Sequence, residues 1–238
     1  MNLGYACINT ALSANKIFTN RTMRRKTFDA QGIDYVSDLA LLNVKDLKTI
    51  VQWNNEMKIK LFRLSSQIFP WSDEYDVKTL KDYDEIASRM REIGQIAKDG
   101  GQRLTMHPGP YNCLASPTQK VVEKTISELN FHSEQFNMMG YDPSPYNKIN
   151  IHVGGAYGDK KGTLDAFCHN FKLLNEDTKK RLVIENDDSP NEYSVNDLYW
   201  GIHKRIGIPI TFDYFHHKFN TGTLTEEEAL RMAATTWP

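Results

Sequence analysis

Five side chains able to hold a divalent metal stand at the ends of short apolar runs. They are His107 in RLTMHPG, His152 in INIHVGG, Glu185 in LVIEN, and Asp213 with His216 in ITFDYFHH. Imidazole and carboxylate in one ligand set suit zinc, manganese or iron better than magnesium or calcium. Ions held by such a set support hydrolysis, because they activate water and stabilise charge on a leaving oxygen. Each residue alone also has a plain structural reading. A lone histidine after a strand can be a hydrogen-bonded packing residue. A carboxylate such as Glu185 in an apolar run is costly to bury unless it is paired or bound to a metal. The placements together carry more weight than any one of them.

Side chains from the ends of successive strands converge in one common architecture, the parallel β/α barrel, whose chemistry sits at the C-terminal face of the sheet. The rest of the chain fits that frame. Strands are expected over 2–8, 60–65, 103–107, 148–153, 182–186 and 209–214, short runs mostly bounded by Gly, Pro or Asn. Helical patterns lie between them. One stops at Gly100-Gly101, one opens at Ser116-Pro117, and Thr225 precedes the acidic first turn Glu226 to Glu228. Strand and helix alternate six times, which predicts a parallel sheet with right-handed crossovers. The expectation is one domain over 1–238, an α/β fold of the TIM-type (β/α) barrel kind, truncated after the sixth β/α unit. A complete barrel of about 250 residues would carry two more strands. The stretch 9–43 reads as a long connection holding the basic cluster Arg21, Arg24, Arg25 and Lys26, and long loops on barrels are usually functional.

Composition narrows the partners. The 238 residues include 29 basic and 30 acidic side chains, a net charge of -1. Contact with nucleic acid would therefore need a local patch of Lys and Arg. Arg21 to Lys26 is the best candidate for phosphate contact, against the plainer reading of a solvated charged turn. The three cysteines Cys7, Cys113 and Cys168 are an odd number without CxxC spacing, as in reduced thiols of a cytosolic protein. No signal-peptide pattern opens the chain, and no apolar run approaches the roughly 20 residues of a membrane span. A soluble, cytoplasmic (intracellular) protein with no membrane partner is expected.

Several strings resemble the UV damage endonucleases. They are Gly4-Tyr5, WNN before FRLSS (Phe62 to Ser66), Phe69-Pro70, MHPG (Met106 to Gly109), IHVGGAYGDK (Ile151 to Lys160), IENDD (Glu185 to Asp188) and the pair Asp213-x-x-His216. The resemblance covers essentially residues 2–220. It implies a barrel related to endonuclease IV and xylose isomerase, and an enzyme that cuts double-stranded DNA immediately 5′ to UV photoproducts. It also implies up to three divalent ions, commonly manganese, with zinc or magnesium as alternates. By resemblance, His107, His152, Glu185, Asp213 and His216 are metal ligands, with Glu185 bridging and with Glu185, His107 and Asp213 at the centre of catalysis. Tyr5 would face DNA, with Arg21, Arg24 and Arg25 on phosphates. The pair Pro110-Tyr111 would be the wedge at the lesion, where the family usually has Gln-Tyr; proline lacks the hydrogen bonds of a glutamine amide. Two other departures stand out. The family's histidine after the FP motif is missing from Trp71-Ser72-Asp73-Glu74, where Asp73 or Glu74 could supply an oxygen. The family's seventh and eighth strands, with Lys, His and Glu, also have no counterpart in the six expected here.

Two other readings use the same residues. One is a sugar or hydroxy-acid isomerase on the same barrel, opposed by the basic cluster and the HPG-x-Tyr wedge. The other is a non-catalytic protein that binds lesions without cutting. Among the remaining residues, Asn186, Asp187 and Asp188 orient ligands or form an ordinary turn. His217 either supports its ligand neighbour or lies exposed.

Overall fold

The computed structural model describes residues 3–238. Asn2, with which the first expected strand opens, lies outside the described residues. The chain forms two compact units. The first runs to His107 and includes Phe131–Asp142; the second is Pro108–Asn130 with Pro143–Pro238.

The first unit holds three parallel strands, β1 (Gly4–Ala6), β2 (Leu61–Leu64) and β3 (Arg103–Met106), in sequence order. Phe62 pairs in register with both Tyr5 and Leu104, and Phe62, Leu64, Leu104 and Met106 are buried. The helix Tyr83–Asp99 buries Ile86, Met90, Ile93, Gly94 and Ala97, a stripe at helical spacing. Its first turn carries Asp84 and Glu85 and its last Lys98, the charge order that the helix dipole favours. Gly94 allows a close approach: a Cβ there would lie 1.9 Å from the Met139 carbonyl oxygen.

One connection differs from the expectation. The stretch 9–43 is largely helix, because a 32-residue helix, Arg25–Glu56, begins inside the basic cluster. Val36, Leu39, Ala40, Val44, Leu47, Ile50 and Val51 form its buried face. Its start carries no side-chain cap, and Gly32 at φ 66° breaks its first turns from the rest.

The second unit repeats the pattern with β4 (Ile149–Ile151), β5 (Leu182–Glu185) and β6 (Ile210–Thr211). Every residue of β4 and β5 is buried, as expected for parallel strands covered on both faces. β6 is shorter than the expected 209–214, because Asp213 starts the helix Tyr214–Phe219. Among the described residues no helix is long and apolar enough to cross a membrane.

The outer edge of β6 is closed by side chains. Pro209 gives its carbonyl to Ile184, so the main-chain groups of Ile210 face away from β5. There, Ile210 N–H donates to Thr236 Oγ1 at 2.9 Å, and Trp237 Nε1 donates to the Ile210 carbonyl at 2.7 Å. The Thr236 hydroxyl gives its proton to the Ala233 carbonyl, which leaves its lone pairs for Ile210. The helix Glu226–Ala234, opened by a Thr225/Glu228 capping box, delivers both residues. Unpaired strand edges invite association, and polar cover of this kind blunts them. The isosteric Thr236→Val removes the acceptor and strands a buried N–H. Amide exchange at Ile210 is expected to quicken by about tenfold, the equivalent of one lost hydrogen bond. Exchange mass spectrometry over 208–212 checks this; an unchanged rate would mean that Thr236 does not guard the edge.

Candidate metal centre

The second unit gathers four of the five expected ligands. Glu185 is the last residue of β5 and only 8 % exposed, so its charge needs compensation. Asn150 of β4 supplies part of it: its amide Nδ2 donates to Glu185 Oε2. Asn150 Oδ1 is itself buried and without a hydrogen-bond partner among the described residues.

Asp213 follows β6 and caps the helix Tyr214–Phe219, its Oδ1 accepting from His216 N–H at 2.9 Å. That places Asp213 and His216 one turn apart on the same side. His216 Nδ1 lies 2.8 Å from the Asn186 carbonyl oxygen. A carbonyl only accepts, so Nδ1 carries the proton and Nε2 keeps a lone pair for a metal. One donor atom each from Glu185, Asp213 and His216 lie within 4.8 Å of one another.

His152 follows β4 directly, with its ring 5.5 Å from that of His216. Its Nδ1 lies 2.7 Å from Asp187 Oδ1. Burial opposes the imidazolium, but Asp187, with Glu185 and Glu192 beyond it, outweighs burial and holds the pKa above the ordinary histidine value. Glu192 is raised as well, by burial first and then by Asp187 and Asp188, with His152 and His216 pulling the other way. This acidic setting favours a bound cation.

The donor set fits a divalent ion. It combines a buried carboxylate, a second carboxylate with one oxygen beyond its capping bond, and an imidazole whose tautomer is fixed by a backbone carbonyl. Such outer partners are what orient the ligands of metal sites.

His107 follows β3 directly as the last residue of the first unit, half-buried, at the same place relative to its strand as His152. Tyr5 is held in the first unit, its hydroxyl donating to Asn54 Oδ1 and accepting from Asn9 Nδ2, and its ring lies 4.9 Å from Phe62. Arg21 is committed there too. Its guanidinium meets Asp46 at 2.6 Å, the Phe18 and Lys16 carbonyls, and the Phe18 ring. Arg25 lies near the rings of Phe28 and Trp71 and pairs with Asp29 and Glu74, so Glu74 is occupied. Arg24 is exposed. In the second unit, Tyr111 beside Pro110 is 90 % exposed on a loop braced by Asn112 to the Gly109 carbonyl and by Cys113 to Thr125 and Val153. His217 is buried against Phe212.

Asn150 carries one signal in the sequence, its place two residues before His152 and so on the same face of the strand. Glu192 carries none. Asn186 was noticed, but its contacts depend on a register that no sequence displays.

Comparison with known proteins identifies the family. The family model described as "UV-endonuclease UvdE" matches residues 1–238. The UV-damage endonuclease of Schizosaccharomyces pombe is 38% identical over 229 residues, covering 94% of this chain and 37% of that protein. A putative UV-damage endonuclease of Acanthamoeba polyphaga mimivirus is 34% identical over 245 residues, covering 100% of this chain and 72% of that protein. The chain thus spans little more than a third of the yeast protein's length. The crystal structure of SacUVDE superposes with a TM-score of 0.88 at 32% identity, over 100% of this chain and 77% of that one. D-Psicose 3-epimerase from Clostridium cellulolyticum H10 shares the fold alone, with a TM-score of 0.57 at 13% identity. The fold is the expected TIM-type β/α architecture, and the chain belongs to the UV-endonuclease UvdE family.

Proposed function

We propose that this chain is a metal-dependent endonuclease of DNA repair that hydrolyses the phosphodiester 5′ to UV photoproducts in double-stranded DNA. The observation that carries the reading is the grouping of Glu185, Asp213 and His216, with His216 fixed in a metal-binding tautomer. His152 and His107 complete the proposed ligand set, on their matching positions after parallel strands. Divalent ions, manganese first among them, would supply charge neutralisation at the attacked phosphate and activation of water. Glu185, His107 and Asp213 are the residues on which catalysis would depend most.

The remaining roles fall to this chain's own surfaces. Tyr111, almost fully exposed on a braced loop, is the proposed lesion probe, since an aromatic ring can stack wherever a base pair is weakened. Pro110 would stiffen that probe. Arg24, which is exposed, is the proposed phosphate contact. In this reading Arg21 and Arg25 act mainly by shaping their loop, given their partners. Tyr5 would help to shape the DNA-facing side. Detection through altered duplex deformability suits an enzyme that cuts beside a lesion without reversing it. The epimerase likeness is one of fold, so it lends the isomerase reading no support of its own.

The test is manganese-supplemented incision of an end-labelled duplex carrying one cyclobutane dimer, beside the undamaged duplex and a His107→Ala control. A cut immediately 5′ to the dimer, lost in the control, is expected. A shifted but uncut duplex would replace the proposal with lesion binding alone, and neither shift nor cut would overturn both.

A further inference from the structure

We infer that Asn186 is a positioning residue that holds Asp213 and His216 as one unit for metal binding. This rests on the metal reading of the site and deepens it. Asn186 is fully buried, and three of its polar groups reach toward this ligand pair. Its Oδ1 accepts from Asp213 N–H at 2.8 Å, and its Nδ2 donates to the Asp213 carbonyl at 3.1 Å. The side-chain amide thereby mimics one ladder pair of a sheet, just past the point where β6 ends. The Asn186 main-chain carbonyl takes the third contact, from His216 Nδ1 at 2.8 Å.

The geometry closes a loop. Asn186 follows Glu185 directly, so its position is set by β5. The amide fixes the Asp213 backbone relative to that strand. Asp213 caps the helix that carries His216, and the imidazole meets the Asn186 carbonyl. One residue therefore registers three ligands against each other: Glu185 through the chain, Asp213 through the amide, and His216 through the cap and the carbonyl. An aspartate here could not donate to the Asp213 carbonyl, and a shorter side chain would not span the gap.

The test reads the metal-free protein first. With nitrogen-labelled histidine, NMR should show His216 of the wild type as the Nδ1–H tautomer. Asn186→Ala cuts the tie between Asp213 and β5, so His216 should become a mixture of tautomers. Manganese affinity by direct titration should fall about 10- to 100-fold, as for other outer partners of metal ligands. Asn186→Leu, which fills the space with no donor or acceptor, carries the test should the alanine variant fail to fold. Folded variants that keep the wild-type tautomer and affinity would overturn the inference, and so would a lowered Tm with both unchanged. If the wild type takes up no manganese, the metal reading fails; a tautomer that still responds to Asn186 would then support the coupling of the pair on its own.

Discussion

Manganese is expected to raise the melting temperature of this protein, and Glu185→Gln to erase that rise while leaving the metal-free protein at least as stable as the wild type. Glu185 is a carboxylate within a strand that is otherwise Leu, Val and Ile, all buried. Its charge is the most desolvated among the proposed ligands of the second unit, so it should bind a cation strongly and cost most when none is bound. Glutamine has the same shape and keeps an oxygen to accept the Asn150 amide, so the local packing survives. What disappears is the negative charge. A metal at 100 times its Kd stabilises by about 2.7 kcal/mol, which for a chain of this size is a shift of roughly 5–10 °C. Melting curves with and without manganese measure it directly. Incision should fall below detection in the same variant. A manganese shift of wild-type size in Glu185→Gln would remove Glu185 from the ligand set.

The candidate ligands were legible because a parallel strand buried on both faces reads as a nearly continuous apolar run, and a charged or imidazole residue at its end stands out. Glu185 after LVI and His152 after INI are of this kind. The resemblance sharpened the reading but rested on the same residues. Other features lie outside what a sequence displays. The helix Arg25–Glu56 opens without a capping side chain and is broken at Gly32, so its first turns read as a basic loop. Arg21 read as a charge available for phosphate, but its partner Asp46 lies a full 25 positions away and only the fold brings them together. The cover on the edge of β6 comes from the side chains of Thr236 and Trp237, which resemble no strand. The last two turn on contacts that are long in sequence, whereas the candidate ligands were signalled by their immediate neighbours.

Asp213→Asn and Asp213→Ala are expected to agree on metal binding and disagree on stability. Asp213 does two separable things. One oxygen caps the helix Tyr214–Phe219 at His216 N–H, and the carboxylate charge is available to a metal. Asparagine caps a helix about as well as aspartate, whereas alanine forfeits about 1 kcal/mol. The main-chain clamp from Asn186 is the same in both variants, because it involves only the Asp213 N–H and carbonyl. In metal-free melts, Asp213→Asn should therefore stay within about 0.5 kcal/mol of the wild type. Asp213→Ala should fall below it by the worth of the cap. In manganese titrations both should lose at least about 100-fold in affinity, more than the loss typical of an outer partner. Incision should follow affinity and not stability, which distinguishes a ligand from a cap. If Asp213→Asn instead binds manganese like the wild type, Asp213 serves the helix alone. The metal site would then have to be built from Glu185 and the histidines.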